Sequence, residues 1–204
     1  MLTKAYLILL TWNRKEVEKM ANNTATNVST GKPNIAGAVF VGTIGSVTIP
    51  TDATTPLGEG YDCLGYVSED GLENANEMTV AAIKAWGGAI VYRSLTELND
   101  EFSLALIESE NPHVLKNVYG DANVVVDEDE NTISVDVKAE DPQEKVWIFE
   151  LALRGQRKKR LVIPDGAVTS REPIVYNDED AIAYGITVSA YPDSLGSSHK
   201  EYIA

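Results

Sequence analysis

Two histidines and one cysteine are the side chains best suited to catalysis or metal binding, and none of them stands in a supporting pattern. His113 and His199 lie far apart in the chain, and no Cys, His or carboxylate stands near either at a metal-ligand spacing. Cys63 lies in the apolar segment YDCLGYV, where we expect a buried structural thiol rather than a nucleophile. A single cysteine cannot form an internal disulfide, which favours a reducing compartment.

Two acidic runs and one glycine pair complete the candidates for chemistry. The runs at residues 127–130 and 178–180 lack the spacing of a calcium-binding loop, and solvated hairpin turns explain them better. Gly87-Gly88 lacks the Lys and Ser/Thr that complete a phosphate-binding loop, and no nucleophile elbow is present. We therefore predict that the chain is not an enzyme and has no catalytic residue, bound metal or cofactor.

A basic cluster is the one feature that could be interpreted as a nucleic-acid contact. It comprises Arg154 and the run Arg157, Lys158, Lys159 and Arg160. The cluster has no interleaved aromatic side chains, and the net charge of the chain is −14, which argues against sequence-independent DNA binding. A contact with an acidic patch on a neighbouring subunit, or a charged edge that blocks unwanted strand pairing, is equally consistent with the pattern.

Alternating strands joined by short turns occupy residues 145–193 and position this cluster. One apolar strand face is predicted to contain Trp147, Phe149, Leu151 and Leu153. Gly155 and Gln156 then turn the chain into the basic run. The last strand is predicted to have an apolar face made of Ile182, Tyr184, Ile186 and Val188. Its other face is small and polar, suited to water or to another subunit, and consists of Ala183, Gly185, Thr187 and Ser189.

The rest of the sequence predicts further strands and one helix. Strands are predicted at residues 37–43, 61–67, 102–106, 124–126 and 132–138, with a turn at 68–71 and a long hairpin of 75–86 with 89–98. The helix has Asn111 as N-cap, Pro112 at its first position and Gly120 as a left-handed C-cap. The fold class is mainly β, a β-sandwich or partly closed barrel of antiparallel strands with one short helix.

The predicted organisation has one domain, at residues 37–192, with a long loop at 44–60. A polar, flexible N-terminal arm at 20–36 precedes it, and a C-terminal tail at 193–204 follows it. Residues 1–19 are predicted to be an upstream extension, because Lys15 to Val17 can be encoded by a ribosome-binding sequence close before Met20. The apolar run in this extension, at residues 5–12, is too short to span a bilayer.

The order of several segments resembles the major tail tube protein family of long-tailed, non-contractile bacteriophages. The upstream segments are TGKPNIAGAVFVG, TDATTPLGEGYDCLGYVSEDGL and IKAWGG. The downstream ones are KVWIFELAL, KKRLVIPDGAVT and AIAYGITVSAYPD, and the resemblance covers roughly residues 21–203. No single segment is specific, and the joint order is what carries the resemblance.

The resemblance implies a structural virion protein made and assembled in the host cytoplasm. It implies hexameric rings that close through strand edges and stack into a tube for the genome, which passes without specific binding. The implied partners are further copies of the chain, a tail terminator, tail tip proteins and a tape-measure protein, with no membrane partner. Two alternatives remain open: an inner-tube protein of a contractile injection system, and a β-sandwich adhesion or glycan-binding module using Trp86 and Tyr92.

Two sets of site residues follow for the tube. The loop is predicted to be too polar and too long to serve the core, and to bridge successive rings through Thr51, Asp52, Thr54, Thr55, Pro56 and Leu57. A lumen for rapid DNA transit should be neutral to acidic. Asp136 and Glu150 are its candidates, because each lies opposite the apolar face of its predicted strand.

Overall fold

Eleven β-strands and one α-helix are present in the computed structural model, which describes residues 25–34, 38–127, 129 and 131–204. The strands are β1 (Lys32–Pro33), β2 (Val39–Thr43), β3 (Tyr61–Cys63), β4 (Val67–Lys84), β5 (Ile90–Leu106), β6 (Val124–Asp127), β7 (Thr132–Val135), β8 (Lys145–Ala152), β9 (Lys158–Arg171), β10 (Tyr184–Ala190) and β11 (Lys200–Ile203). The helix is α1 (Pro112–Tyr119). The predictions for residues 1–19 and for the first part of the arm lie outside the described residues.

Nine of the strands form one large antiparallel sheet in the order β3-β2-β8-β9-β10-β5-β4. Strand β1 pairs with β8, and β11 pairs with β9. The remaining strands, β6 and β7, form a separate two-stranded sheet, called here the small sheet. The mainly β, antiparallel prediction is confirmed, and the large sheet does not close into a barrel.

The main core lies between one face of the large sheet, the helix and the small sheet. Phe102 and Phe149 stack at its centre with ring centroids 5.6 Å apart. The helix contributes Val114, Leu115 and Val118, all buried. Because Phe102 comes from β5 and Phe149 from β8, this cluster joins the two halves of the sheet.

Strand β8 is buried on both faces. Trp147 and Phe149 face the main core, as the alternation predicts, while Val146 and Ile148 pack with Val162 in a second cluster on the opposite face. Four successive apolar residues are typical of a strand covered on both sides. The cover on this second face comes partly from the loop at 44–60.

The helix begins and ends close to where the sequence predicts. Asn111 Oδ1 accepts a hydrogen bond from the backbone N–H of His113 at 2.9 Å, which is the expected N-cap. Gly120 ends the helix with φ +101° and ψ +145°, so it does not have the predicted left-handed helical conformation. Only glycine adopts that region readily, so the residue type is still explained.

Two predicted local features are wrong. Residues 68–71 are not a turn between strands but an irregularity inside β4, between Val67 and Leu72. The predicted strand at 132–138 ends at Val135, and Val137 is exposed rather than inward-facing. The C-terminal tail ends as strand β11 of the large sheet.

Candidate assembly interface

A long hairpin made of β4 and β5 extends beyond the core. Glycines at the turn, Gly87 and Gly88, have φ of +101° and +90°, a region in which a side chain would be strained. At its base, Leu72 lies opposite Leu104, and both belong to or pack on the main core. Beyond Asn76, which lies opposite Asp100, all residues of the hairpin up to Leu98 are exposed except the half-buried Ser94. The sequence predicted this hairpin and its turn.

The distal hairpin, residues 78–98, presents large apolar side chains to solvent. Met78 pairs with Leu98 and Val80 with Leu95, and these pairs continue the core-facing side of β4 and β5 past the end of the core. Trp86 at the tip is fully exposed. The exposed large apolar residues of this segment are Met78, Val80, Ile83, Trp86, Ile90, Val91, Tyr92, Leu95 and Leu98. Many exposed large apolar side chains on one projecting hairpin indicate an interaction site.

The outer edge of β4 is a second feature of the hairpin. Strand β4 is an end strand of the large sheet and pairs only with β5 within the described residues. Edge strands are usually protected by lysines, prolines or brevity. Strand β4 has 18 residues, and its segment 78–83 (MTVAAI) contains no charge and no proline. This edge is therefore open to pairing with another strand.

The face of the sheet opposite the main core is small and polar where β5 and β10 meet. The hydroxyls of Ser103 and Thr187 lie 3.1 Å apart, and those of Thr169 and Ser189 lie 2.7 Å apart. Glu73 lies opposite Ser103 in the register, so it adds a carboxylate to the same face. The sequence predicted this face from residues 183–189, whereas the contributions of β4, β5 and β9 depend on the strand order.

The predicted inter-ring loop packs against its own sheet. Ala53 is buried, and Leu57 packs on the second core cluster, so the loop does serve the core, contrary to the prediction. Hydrogen bonds from the Thr55 hydroxyl and the backbone N–H groups of Thr55 and Thr54 hold the pKa of Asp52 well below its usual value. Thr51, Thr54, Thr55 and Pro56 are exposed, and a role between rings stays a prediction.

The predicted basic cluster is divided by the fold. Arg157 and Lys158 are exposed, and Lys159 forms an ion pair with Glu201 at 2.8 Å. Arg160 is only 3% exposed and is therefore not part of an exposed basic cluster. The run lies where β9 begins, so alternate side chains point to opposite faces.

Arg160 forms a buried ion pair with Glu150, which lies directly opposite it on β8. Its Nη1 also donates to the backbone oxygen of Asp52 at 2.8 Å. Asn34 of the arm donates to the other carboxylate oxygen of Glu150 at 2.8 Å. This ion pair therefore ties the described part of the arm and the long loop to the sheet.

Of the two predicted lumen residues, only Glu150 lacks the solvent exposure that the prediction assumed. The Glu150 side chain is 15% exposed and is held by Arg160, so it is not a solvent-facing charge. Asp136 is exposed, but it lies beyond the end of β7 and pairs with Lys138. Strand alternation misplaced Glu150 because β8 is covered on both faces.

A polar cluster at the root of the hairpin fixes the C-terminal segment. Asp100 is buried and accepts hydrogen bonds from Ser198 Oγ at 2.5 Å and Asn74 Nδ2 at 2.8 Å, and it pairs with His199. The His199 ring also contacts Phe102 edge-on at 5.2 Å. The sequence placed His199 in a polar tail, and no local pattern links it to Asp100.

Acid is expected to weaken this cluster and to lower the free energy of unfolding. Burial raises the pKa of Asp100, but hydrogen bonds from Ser198, Asn74 and His199 outweigh it and lower the pKa overall. The contribution is therefore present above the unfolded pKa of about 3.9 and is lost as pH falls through the lower folded value. Denaturant titrations between pH 7 and pH 2 should show a smaller acid-dependent loss for Asp100→Asn than for the wild-type chain. Equal losses would contradict this assignment.

The described residues contain no group of three His, Cys, Asp or Glu side chains able to hold a metal. His113 lies 3.2 Å from Asp62 on a partly exposed surface, and Cys63 is a half-buried free thiol. In the described part of the chain, no helix has both the length and the apolar content to cross a membrane. Trp86 and Tyr92 are both exposed, and the described ring contacts do not join them into a sugar-binding platform.

Comparisons with known proteins identify the family of this chain. A family model described as phage tail tube protein matches residues 20–203, in agreement with the resemblance seen in the sequence. No curated protein matches. Among solved structures, the anti-feeding prophage cap, described as the tube-terminating cap of that particle, is similar at 9% identity and a TM-score of 0.41. That match covers 91% of this chain and 99% of the cap chain.

Proposed function

Because this chain belongs to the phage tail tube protein family, we propose that it is the repeating subunit of the tube. It is a structural component of a phage tail. In the proposed assembly, subunits close into hexameric rings, and rings stack into a hollow conduit that leads the genome from capsid to host. The tail terminator, tail tip and tape-measure proteins are the proposed partners at the ends and inside the tube.

The observation that supports this proposal most strongly is the distal hairpin. An exposed strand edge is a template for pairing with another chain, and a head-to-tail contact closes into a ring or extends into a filament. Strand β4 has such an edge, and the hairpin that contains it presents nine exposed large apolar side chains. In a monomer these apolar side chains stay in contact with water, whereas in the proposed assembly they are buried.

The small polar face of the sheet is the proposed lining of the lumen. Ser103, Thr187, Ser189 and Thr169 offer hydroxyls that already pair with one another, and Glu73 and Glu101 add negative charge. None of these groups carries positive charge, so the face offers DNA phosphates no contact that releases counterions, and DNA would pass without adhering strongly. In this proposal, these residues replace Glu150 and Asp136 as the lining.

Size measurement as a function of concentration tests the assembly. We expect sedimentation velocity of the purified chain to show a 22.2 kDa monomer when dilute and discrete species near six times that mass, and larger stacks, when concentrated. A monomer that persists at the highest accessible concentration would contradict the proposal. Discrete species of another subunit number would contradict the hexamer alone.

A further inference from the structure

We propose that the distal hairpin of one copy docks on the small sheet, β6 with β7, of a second copy. This inference rests on the proposed function and identifies the partner surface within the assembly. The hairpin supplies apolar side chains and positive charge, and the small sheet supplies apolar side chains and negative charge.

Most of the distal hairpin, residues 78–95, is basic in a strongly acidic protein, and Glu97 is the one acidic residue of the distal hairpin. The chain has 31 acidic residues, yet residues 78–95 contain none, while they contain Lys84 and Arg93. Both side chains are exposed, and neither forms an ion pair or a side-chain hydrogen bond with any part of the chain that the structure describes. Positive charge next to exposed apolar surface favours a partner that is both apolar and acidic.

The small sheet has these two properties. Residues 121–137 contain six acidic residues and no basic one. Val126 lies opposite Ile133, and this half-exposed pair continues the face on which Val124 and Val135 pack against the core. The apolar face thus extends past the core, as it does on the hairpin.

The small sheet also has strand edges that are unpaired within the described residues. Within the described residues β6 and β7 pair only with each other, so each has an outer edge that a further strand could join. Val125, on the other face of β6, and Val137, beyond the end of β7, are also exposed. A two-stranded sheet with open edges and an uncovered apolar face gains stability when another strand or hairpin packs on it.

The loop at 172–183 is the competing acceptor. It carries Val175 and Tyr176, both exposed, and four acidic residues. However, Asn177 closes it as a self-contained turn, accepting from the backbone N–H groups of Glu179 and Asp180. It offers no strand edge in the described structure, which favours the small sheet.

Cysteine cross-linking under assembling conditions tests the contact. In a Cys63→Ser background, a chain carrying Leu95→Cys and Ile133→Cys is assembled and treated with a short bismaleimide. We expect a ladder of cross-linked multimers on a denaturing gel, with only traces from either single-cysteine chain. The matched chain, with Leu95→Cys and Val175→Cys, should give no ladder.

The outcomes separate the inference from the proposed function. Tubes or rings that give no ladder with Ile133→Cys, or that give one with Val175→Cys instead, would overturn the inference and leave the tube proposal standing. A wild-type chain that never assembles would overturn both the inference and the tube proposal. A charge exchange provides an independent check. Arg93→Glu should raise the concentration needed for assembly by roughly tenfold, and adding Asp129→Arg should reverse most of that change. No recovery in the double variant would count against the contact.

Discussion

A chain carrying Val80→Glu and Leu95→Lys is expected to remain a folded monomer where the wild-type chain assembles. The two residues are cross-strand neighbours, and each is about half exposed in the monomer. Removing both apolar side chains from an interface costs about 3 kcal/mol per contact, or roughly a 100-fold loss of affinity. The new charges lie opposite each other, so their attraction should preserve the hairpin. Circular dichroism and sedimentation velocity measure the two effects.

The matched control places the same two charges on the neighbouring cross-strand pair of the hairpin. Ala81 lies opposite Ser94, and their side chains are small or polar and point to the other face. Ala81→Glu with Ser94→Lys is therefore expected to assemble at close to the wild-type concentration. Equal loss of assembly in both double variants would show that the apolar face has no special role.

Replacing Arg160 with Leu is expected to be the most destabilising single change at a polar residue. Its side chain is 4% exposed, and the guanidinium faces Glu150 and also donates a hydrogen bond to the backbone oxygen of Asp52. Removing it leaves a mostly buried carboxylate without its partner, which typically costs about 3–5 kcal/mol. Chemical denaturation should show the loss as a lower midpoint with an unchanged slope.

The double variant Arg160→Leu with Glu150→Leu is the control for this ion pair. It removes both charges, so we expect it to recover at least half of the lost stability. Arg160→Lys should not be neutral, because a single ammonium cannot reproduce the forked contact with Glu150 and Asp52. A double variant as unstable as the single one would mean that Arg160 acts through packing alone.

The sequence predicted the elements that depend on local patterns. The alternation in β10, the N-cap at Asn111 and the glycine turn of the long hairpin all follow from neighbours in the chain, and the structure contains them. It misplaced the turn at residues 68–71 because Gly71 and its acidic neighbours are typical of turns. In the fold they form an irregularity within one long strand.

The ion pair of Glu150 and Arg160 could have been predicted from the sequence. The two residues lie at equal distances from the Gly155 turn, so hairpin register places them opposite each other with opposite charges. The Asp100 cluster could not have been predicted from the sequence. Its partners Ser198 and His199 come from the other end of the chain, and only the packing of β11 on β9 brings them close.

A three-dimensional reconstruction of the assembled particle by electron microscopy tests the central claim most directly. We expect a hollow six-fold tube in which the outer edge of β4 pairs with a strand of the neighbouring subunit. Ser103, Thr187 and Glu73 should face the lumen. A solid fibre, or a tube in which the edge of β4 and the distal hairpin remain in solvent, would contradict the assignment of this surface.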